Sequence, residues 1–263
     1  MLAGSVICRR NRVSATALAV LVVTSLVVAL APSASAADTR PYFPANLTSI
    51  GASRQVVVVT SASWRTSYAT LRTFEKGADG QWRGVLGPMK ARIGSNGFVL
   101  AANRRQGTGT TPAGTFRVSR AFGSLVDPGT ALPYTQFDRN DWWPYDPRSP
   151  RTYNVFQTQR VAGAAWRKTW AEHLWSYGGQ YRFGAIINFN MPSGLYRSNG
   201  QWLARNPANT RKGGGIFLHV NGPGGTAGCV TLAAADMRAV LRWLDPTKTP
   251  RIVMGPTSAI TRM

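Results

Sequence analysis

The sequence predicts a mainly β domain at the α+β margin, built as a sandwich or open barrel with one or two packed helices. Three observations lead there. Arg54-Gln55-Val56-Val57-Val58-Val59-Thr60 is a β-branched run of the kind that fills a buried strand. Ser67 to Lys76 alternates as a strand, Ala78-Asp79-Gly80 is a hairpin-type turn, and Gln81 to Leu86 returns. Only two stretches, Val161 to Tyr177 and Ala233 to Leu244, carry a helical apolar period.

The chain opens on a segment that should not belong to the fold. Arg9, Arg10 and Arg12 form a basic start, Val13 to Ala31 is apolar, and Ala34-Ser35-Ala36 is an A-x-A cleavage site. This reads as a secretory signal over 1–36, with an uncleaved anchor as the alternative, since the apolar run is nearly long enough to span a bilayer. Cys8 precedes the apolar run and is no lipid-attachment site. Removing 36 of 263 residues leaves 227. That length fits a lead-in over 37–55, one domain over 56–256 and a tail over 257–263. The export reading places the protein outside the membrane, secreted or at the cell wall, and a monomer is expected.

The formal charge of +21 falls to +18 once the three signal arginines are gone. An exported protein this basic should be drawn to anionic wall polymers. Nucleic acid is disfavoured, because the basic residues are scattered singly and no nucleic-acid module is visible. The mature chain keeps one cysteine, Cys229, so no internal disulfide can form. A single unpaired thiol in an exported protein flags reactivity.

Further along, Val99 to Ala102 and Thr115 to Arg120 read as strands joined by a loop over Gly107 to Gly114. That loop lacks the lysine and the following helix of a phosphate cradle. Ser124 to Pro150 is a long loop rich in aromatics, with Trp142, Trp143 and Tyr145. It reads either as a wall of a substrate groove or as a loop packed by its own rings. Val161 to Tyr177 predicts a helix with Trp166, Trp170, His173, Leu174 and Tyr177 on one face, ended by Gly178-Gly179. His173 on that face reads as a packed histidine. A zinc site from His173, His219 and Cys229 lacks close-spaced ligand pairs, so no metal is expected. Tyr181 to Phe189 is a strand, Arg197 to Arg211 a polar loop, and Arg251 to Met254 a closing strand. In the helix over Ala233 to Leu244, Met237, Val240, Leu241 and Leu244 form a core stripe.

The chain is organised around Gly213 to Leu232, GGGIFLHVNGPGGTAGCVTL. An apolar β run leads to His219. Gly222-Pro223-Gly224-Gly225 then gives the chain freedom to fold back and bring Cys229 to the imidazole. A thiol needs such a neighbour, because the thiolate is the nucleophile. A buried, inert cysteine beside a loop histidine is the other reading of the same spacing.

His219 followed by Thr226-Ala227-Gly228-Cys229-Val230 resembles the signature of the L,D-transpeptidase catalytic core (YkuD-like), a histidine followed by [ST]-x-G-C-[IV]. The likeness extends to Gly109-Thr110-Thr111-Pro112-Ala113-Gly114-Thr115-Phe116, similar to the family's strand-entering TPxGxF turn. It extends also to Asp146-Pro147-Arg148-Ser149-Pro150 with Tyr153-Asn154, and to Phe217-Leu218-His219-Val220. It covers roughly 56–256. The chain departs from many members at Ala227, where they carry histidine, at Thr231, where they carry arginine, and in a shorter His-to-Cys spacing.

The resemblance implies a β-sandwich with the cysteine in a groove and acyl transfer on peptidoglycan stem peptides, which serve as donor and acceptor. Cys229 would be the nucleophile and His219 the proton donor and acceptor, oriented by a backbone carbonyl. Backbone amides at Thr226, Ala227 and Gly228 would hold the oxyanion. Trp143, Tyr145, Asn190 and Asn221 are candidates for the groove. No cofactor is implied. Hydrolysis of the same bond, an L,D-carboxypeptidase activity, is an alternative, as is a silent wall-binding module. A sortase would place its histidine much farther upstream, and an NlpC-type peptidase would place its cysteine first.

Overall fold

The structure is a computed structural model, and it describes residues 38–263. The signal-peptide reading over 1–36 lies outside the described residues. No helix among the described residues is long and apolar enough to cross a membrane.

Strand β1, Gln55–Ser61, is buried along its whole length. Its four valines are fully shielded, and each such burial is worth roughly 1.5–3 kcal/mol. Strand β2, Tyr68–Lys76, runs antiparallel beside it, followed by β3, Trp82–Gly84, and β4, Met89–Arg92. Then come β5, Phe98–Leu100, and the long β6, Thr111–Gly123. Strand β7, Tyr134–Gln136, lies parallel to the end of β6, and β8, Trp142–Pro144, pairs with β9, Ala171–His173. The chain continues through β10, Gly184–Ile187, the hairpin β11, Ser193–Ser198, with β12, Gln201–Asn206, and then β13, Phe217–Val220, and β14, Val230–Leu232. Helix α1, Ala234–Trp243, and β15, Arg251–Pro256, complete it.

Eight strands pair in the order β1-β15-β6-β10-β13-β14-β4-β2, and the β1–β2 ladder closes the ring. The expected sandwich or open barrel is therefore a barrel-like sheet whose pairing is complete, which leaves no exposed edge on those strands. Only β1–β15 and β13–β14 are parallel within that ring. Leu47 and Ile50 of the lead-in and Ile260 and Met263 of the tail are buried in the same apolar cluster as the barrel valines. Helix α1 buries Met237, Val240 and Leu241 as its stripe predicts. Asp236 in its first turn and Arg242 in its last complement the helix dipole.

Three expectations are corrected. The helix over Val161 to Tyr177 does not form: Ala171–His173 is a strand, flanked by short 3-10 turns at Lys168–Trp170 and Leu174–Tyr177. Pairing with β8 satisfies this backbone, and Trp142 stacks on His173 with ring centroids 4.4 Å apart. The apolar period was met by residues that separate in space: Trp166 and Leu174 are buried, while Trp170 and Tyr177 reach the surface. Second, the polar loop over Arg197 to Arg211 largely belongs to a hairpin. Asn199 and Gly200 turn it with φ of 47° and 73°, the conformation of a type I′ turn. Third, Thr111 to Phe116 is not a turn entering a strand but the first half of β6 itself.

Candidate active site

Strands β13 and β14 set the site. Their parallel register pairs Leu218 with Val230 and His219 with Thr231, so Phe217 lies across from Cys229. Partners in register share a face of the sheet, which puts His219 and Cys229 on one face as diagonal neighbours. The connection between the strands is held against the barrel rim, where Thr226 N–H donates to Ile93 O and Ser95 N–H to Thr226 O.

Cys229 sits in the floor of a cleft of about 990 Å³, lined also by Arg104, Tyr145, Glu172, Arg211 and the Thr226 to Gly228 backbone. Its thiol donates to Gly215 O at 3.2 Å and accepts from Phe217 N–H at 3.4 Å. Burial pushes the thiol up to about 12; the Glu172 carboxylate adds to this, while Phe217 N–H and Arg104 oppose it. His219 is buried beneath the cleft rather than lining it. Its Nδ1 lies 2.9 Å from Val220 O, and the Tyr181 ring meets it edge-on at 4.9 Å. Burial holds the imidazole down to about 4, against the pull of the Val220 and Gln180 carbonyls. At neutral pH both groups are therefore uncharged. With Nδ1–H donated to Val220 O, the ring's free lone pair is on Nε2.

Gly228 precedes the cysteine for a steric reason. Its φ is 150°, and a Cβ there would lie 2.9 Å from Thr110 O and 3.0 Å from both Arg104 Nη2 and Ile216 Cδ1. Thr111 anchors the same residue, its hydroxyl donating to Gly228 O at 2.8 Å while accepting from Gly94 N–H at 2.8 Å. The two stretches that carry the resemblance thus meet in one hydrogen bond. Arg104, buried, donates to Thr110 O, Lys212 O and Ala227 O. Asn154, also buried, accepts from Gly215 N–H and Trp143 Nε1–H, each at 2.8 Å, and donates to Asn190 O at 2.8 Å. It therefore fixes the residue whose carbonyl receives the thiol.

The other expected residues divide. Tyr145 lines the cleft, as do Thr226, Ala227 and Gly228. Of the amides there, Thr226 N–H is bonded to Ile93 O and Gly228 N–H to Thr226 Oγ1, which leaves Ala227 and Cys229. Trp143 lies instead edge-on to Phe217 and lines a separate, mostly apolar cavity of about 450 Å³. Asn190 spends its amide on Asn209 O and Gly213 O, bracing the glycine run. Asn221 is exposed beyond β13 and lines no part of the cleft. His173 has both ring nitrogens bonded, to Ser176 Oγ and Arg139 O. Sequence reasoning did not single out Arg104, Glu172 or Tyr181. Glu172 accepts from Tyr181 Oη at 2.8 Å, and burial raises its carboxyl to about 7.

A barrel-like mixed sheet with a side cleft over its β13–β14 pair places the chain among β-barrel catalytic domains rather than α/β enzymes, whose sites lie at the ends of parallel strands. The YkuD family model, L,D-transpeptidase catalytic domain, matches residues 55–253, and the chain belongs to that family. No curated protein and no solved structure matches it.

Proposed function

We propose that the chain is an exported cell-wall enzyme that transfers acyl groups between peptidoglycan stem peptides, an L,D-transpeptidase with Cys229 as nucleophile. The observation that carries this reading is the pairing of a thiol in the cleft floor with an imidazole on the same face of the adjoining strand. The thiol turns from Gly215 O toward His219 Nε2 and attacks the carbonyl carbon of the amide between the third and fourth stem residues. Its proton passes to Nε2 as the C–S bond forms. The carbonyl oxygen takes the negative charge facing the Ala227 and Cys229 amides. The C–N bond then breaks, and the imidazolium returns the proton to the leaving D-alanine nitrogen. Attack of an amine on the thioester gives a cross-link, and attack of water gives a tripeptide.

Because burial keeps both resting groups neutral, proton transfer accompanies attack instead of preceding it. The charge of +18 recruits the mature protein to anionic wall polymers, and it acts as a monomer without a cofactor. The test is intact-protein mass spectrometry with a carbapenem, alongside release of D-alanine from tetrapeptide stems. A single covalent adduct on Cys229 and D-alanine release are expected. Turnover retained by Cys229→Ser would refute the assignment.

A further inference from the structure

Among the described residues, Glu172 is the one acidic side chain lining the cleft that contains Cys229. Strand β9 delivers it there through its pairing with Trp143 on β8. Its Oε2 accepts the Tyr181 hydroxyl at 2.8 Å, and Oε1 has no hydrogen-bond partner among the described residues. It takes part in none of the four ion pairs of the described chain. The sequence carries 31 lysines and arginines against 10 acidic residues, so cations are plentiful. Glu172 is half-buried at the cleft wall, where partial desolvation favours a cationic partner for its carboxylate. Of the two arginines lining the cleft, Arg104 is committed to three backbone carbonyls and Arg211 forms no ion pair with Glu172. What faces Glu172 is Tyr145, Tyr177, Tyr181 and Cys229, all of them held neutral by burial. Among the described residues no cation pairs with this carboxylate, which leaves its second oxygen open to one carried by a ligand.

We propose that Glu172 receives the cationic amine of the acyl acceptor, binding it through its free carboxylate oxygen and taking the proton that must leave before the amine attacks the Cys229 thioester. This rests on the acyl-transfer reading above. An alkylammonium has no lone pair and cannot attack. Loss of one proton to Glu172 frees the nitrogen lone pair, which forms the C–N bond as the C–S bond breaks. The second proton on nitrogen passes to His219 and from there to the departing thiolate, which restores the thiol. Glu172 then returns its proton to solvent. Water needs no such cation seat, so Glu172 favours cross-linking over hydrolysis. The raised carboxyl value of about 7 places the gain in aminolysis across neutral pH, where the carboxylate forms.

The experiment measures the ratio of cross-linked dimer to free tripeptide, using the mature chain, a tetrapeptide donor and an acceptor stem with a side-chain amine. Glu172→Gln keeps an oxygen for the Tyr181 hydroxyl but cannot take a proton. The expected result is a fall in that ratio on the order of 100-fold, the size of a general-base contribution. In the unaltered protein the ratio should climb about tenfold between about pH 6 and pH 8 and then level off, whereas an amine titrating alone near 10.4 would give a rise of about 100-fold with no plateau, an outcome that would count against the proposal. That measurement needs no variant. An unchanged ratio in Glu172→Gln, a ratio flat through neutrality in the wild type, or equal loss of dimer and tripeptide would each overturn the proposal. Carbapenem acylation, run in parallel, separates the two readings. An adduct with an unchanged ratio removes only the role of Glu172, whereas no adduct on wild-type protein removes the acyl-transfer reading itself.

Discussion

Replacing Asn154 with alanine tests whether the cysteine's acceptor carbonyl is held from behind. Asn154 is fully buried, and its three hydrogen bonds of 2.8 Å reach Trp143, Gly215 and Asn190. Alanine leaves the Trp143 and Gly215 N–H groups without acceptors, and each orphaned buried donor costs about 1–3 kcal/mol. Asn154 also has φ of 59°, a left-handed conformation that costs alanine a further ~1–2 kcal/mol. The sum is about 3–8 kcal/mol. For a domain of this length each kcal/mol lowers the melting temperature by roughly 2–4 °C, so the fall should be at least about 6 °C. Asn154→Gly separates the two causes: it loses the same bonds but accepts the positive φ, and should melt above Asn154→Ala. Thermal unfolding by circular dichroism reads stability, and the rate of carbapenem acylation reads the site. Acylation should slow, because Gly215 O no longer holds the thiol in place. A melting temperature within about 2 °C of wild type, with acylation unchanged, would refute the reasoning.

Gly228→Ala should block acylation, since a Cβ at that position meets Thr110 O at 2.9 Å in a backbone conformation alanine resists; an adduct forming at the wild-type rate would count against it. Cys229→Ser should leave the melting temperature near wild type but abolish the carbapenem adduct in the mass spectrum. His173→Ala should lower the melting temperature through lost stacking on Trp142 and leave D-alanine release within a fewfold of wild type. His219→Asn should become relatively more acid-stable. The imidazole is held down to about 4 when folded, so its stabilisation is complete above about pH 6.5 and is lost as pH falls toward 4. That difference of 2.5 units is about 3 kcal/mol, to be read as the gap between variant and wild-type unfolding free energies at pH 7 and pH 4. A gap that does not change with pH would show that the histidine is not buried neutral. Glu172 has the opposite sign, favouring the fold as pH drops from about 7 toward 4.5, so only the difference between the two proteins isolates His219.

The parts of the fold legible in the sequence are those where local pattern and tertiary environment agree. The β1 valines are buried on both faces, and the α1 stripe lies where its period puts it. Val161 to Tyr177 misled because a 3.6 period can be met by residues that never share a helix face. Once β8 supplies hydrogen-bond partners, Trp, His and Tyr lose little by adopting a strand and two short turns. The β11–β12 hairpin had a local signal, Asn199-Gly200, hidden inside a stretch polar enough to read as loop. At the site, residue type and glycine content marked Cys229 and His219 as candidates, and the structure puts them on one face of the β13–β14 pair. Arg104 and Glu172 were not, because each is a lone charged residue whose meaning lies in burial. Thr111 and Asn154 sat inside recognisable words, yet only packing reveals that one grips Gly228 and the other Gly215.

The electrostatics of the cleft follow from what burial does to each group. A thiol near 12 and an imidazole near 4 differ by 8 units in the sense that disfavours an ion pair between them. At 1.36 kcal/mol per unit, forming that pair without compensation would cost about 11 kcal/mol. Their mutual attraction in a dry site offsets part of this, and developing charge on a bound carbonyl facing backbone amides offsets more. On the acyl-transfer reading proposed above, the pair is therefore quiet until an acyl donor fills the cleft. Small alkylating reagents, which bring no carbonyl to polarise, should react slowly with Cys229 at neutral pH despite its position in the cleft. Carbapenems, which do bring one, should react much faster. A thiol alkylated rapidly by iodoacetamide at pH 7 would mean that the resting site already holds a thiolate, and that charge separation precedes substrate.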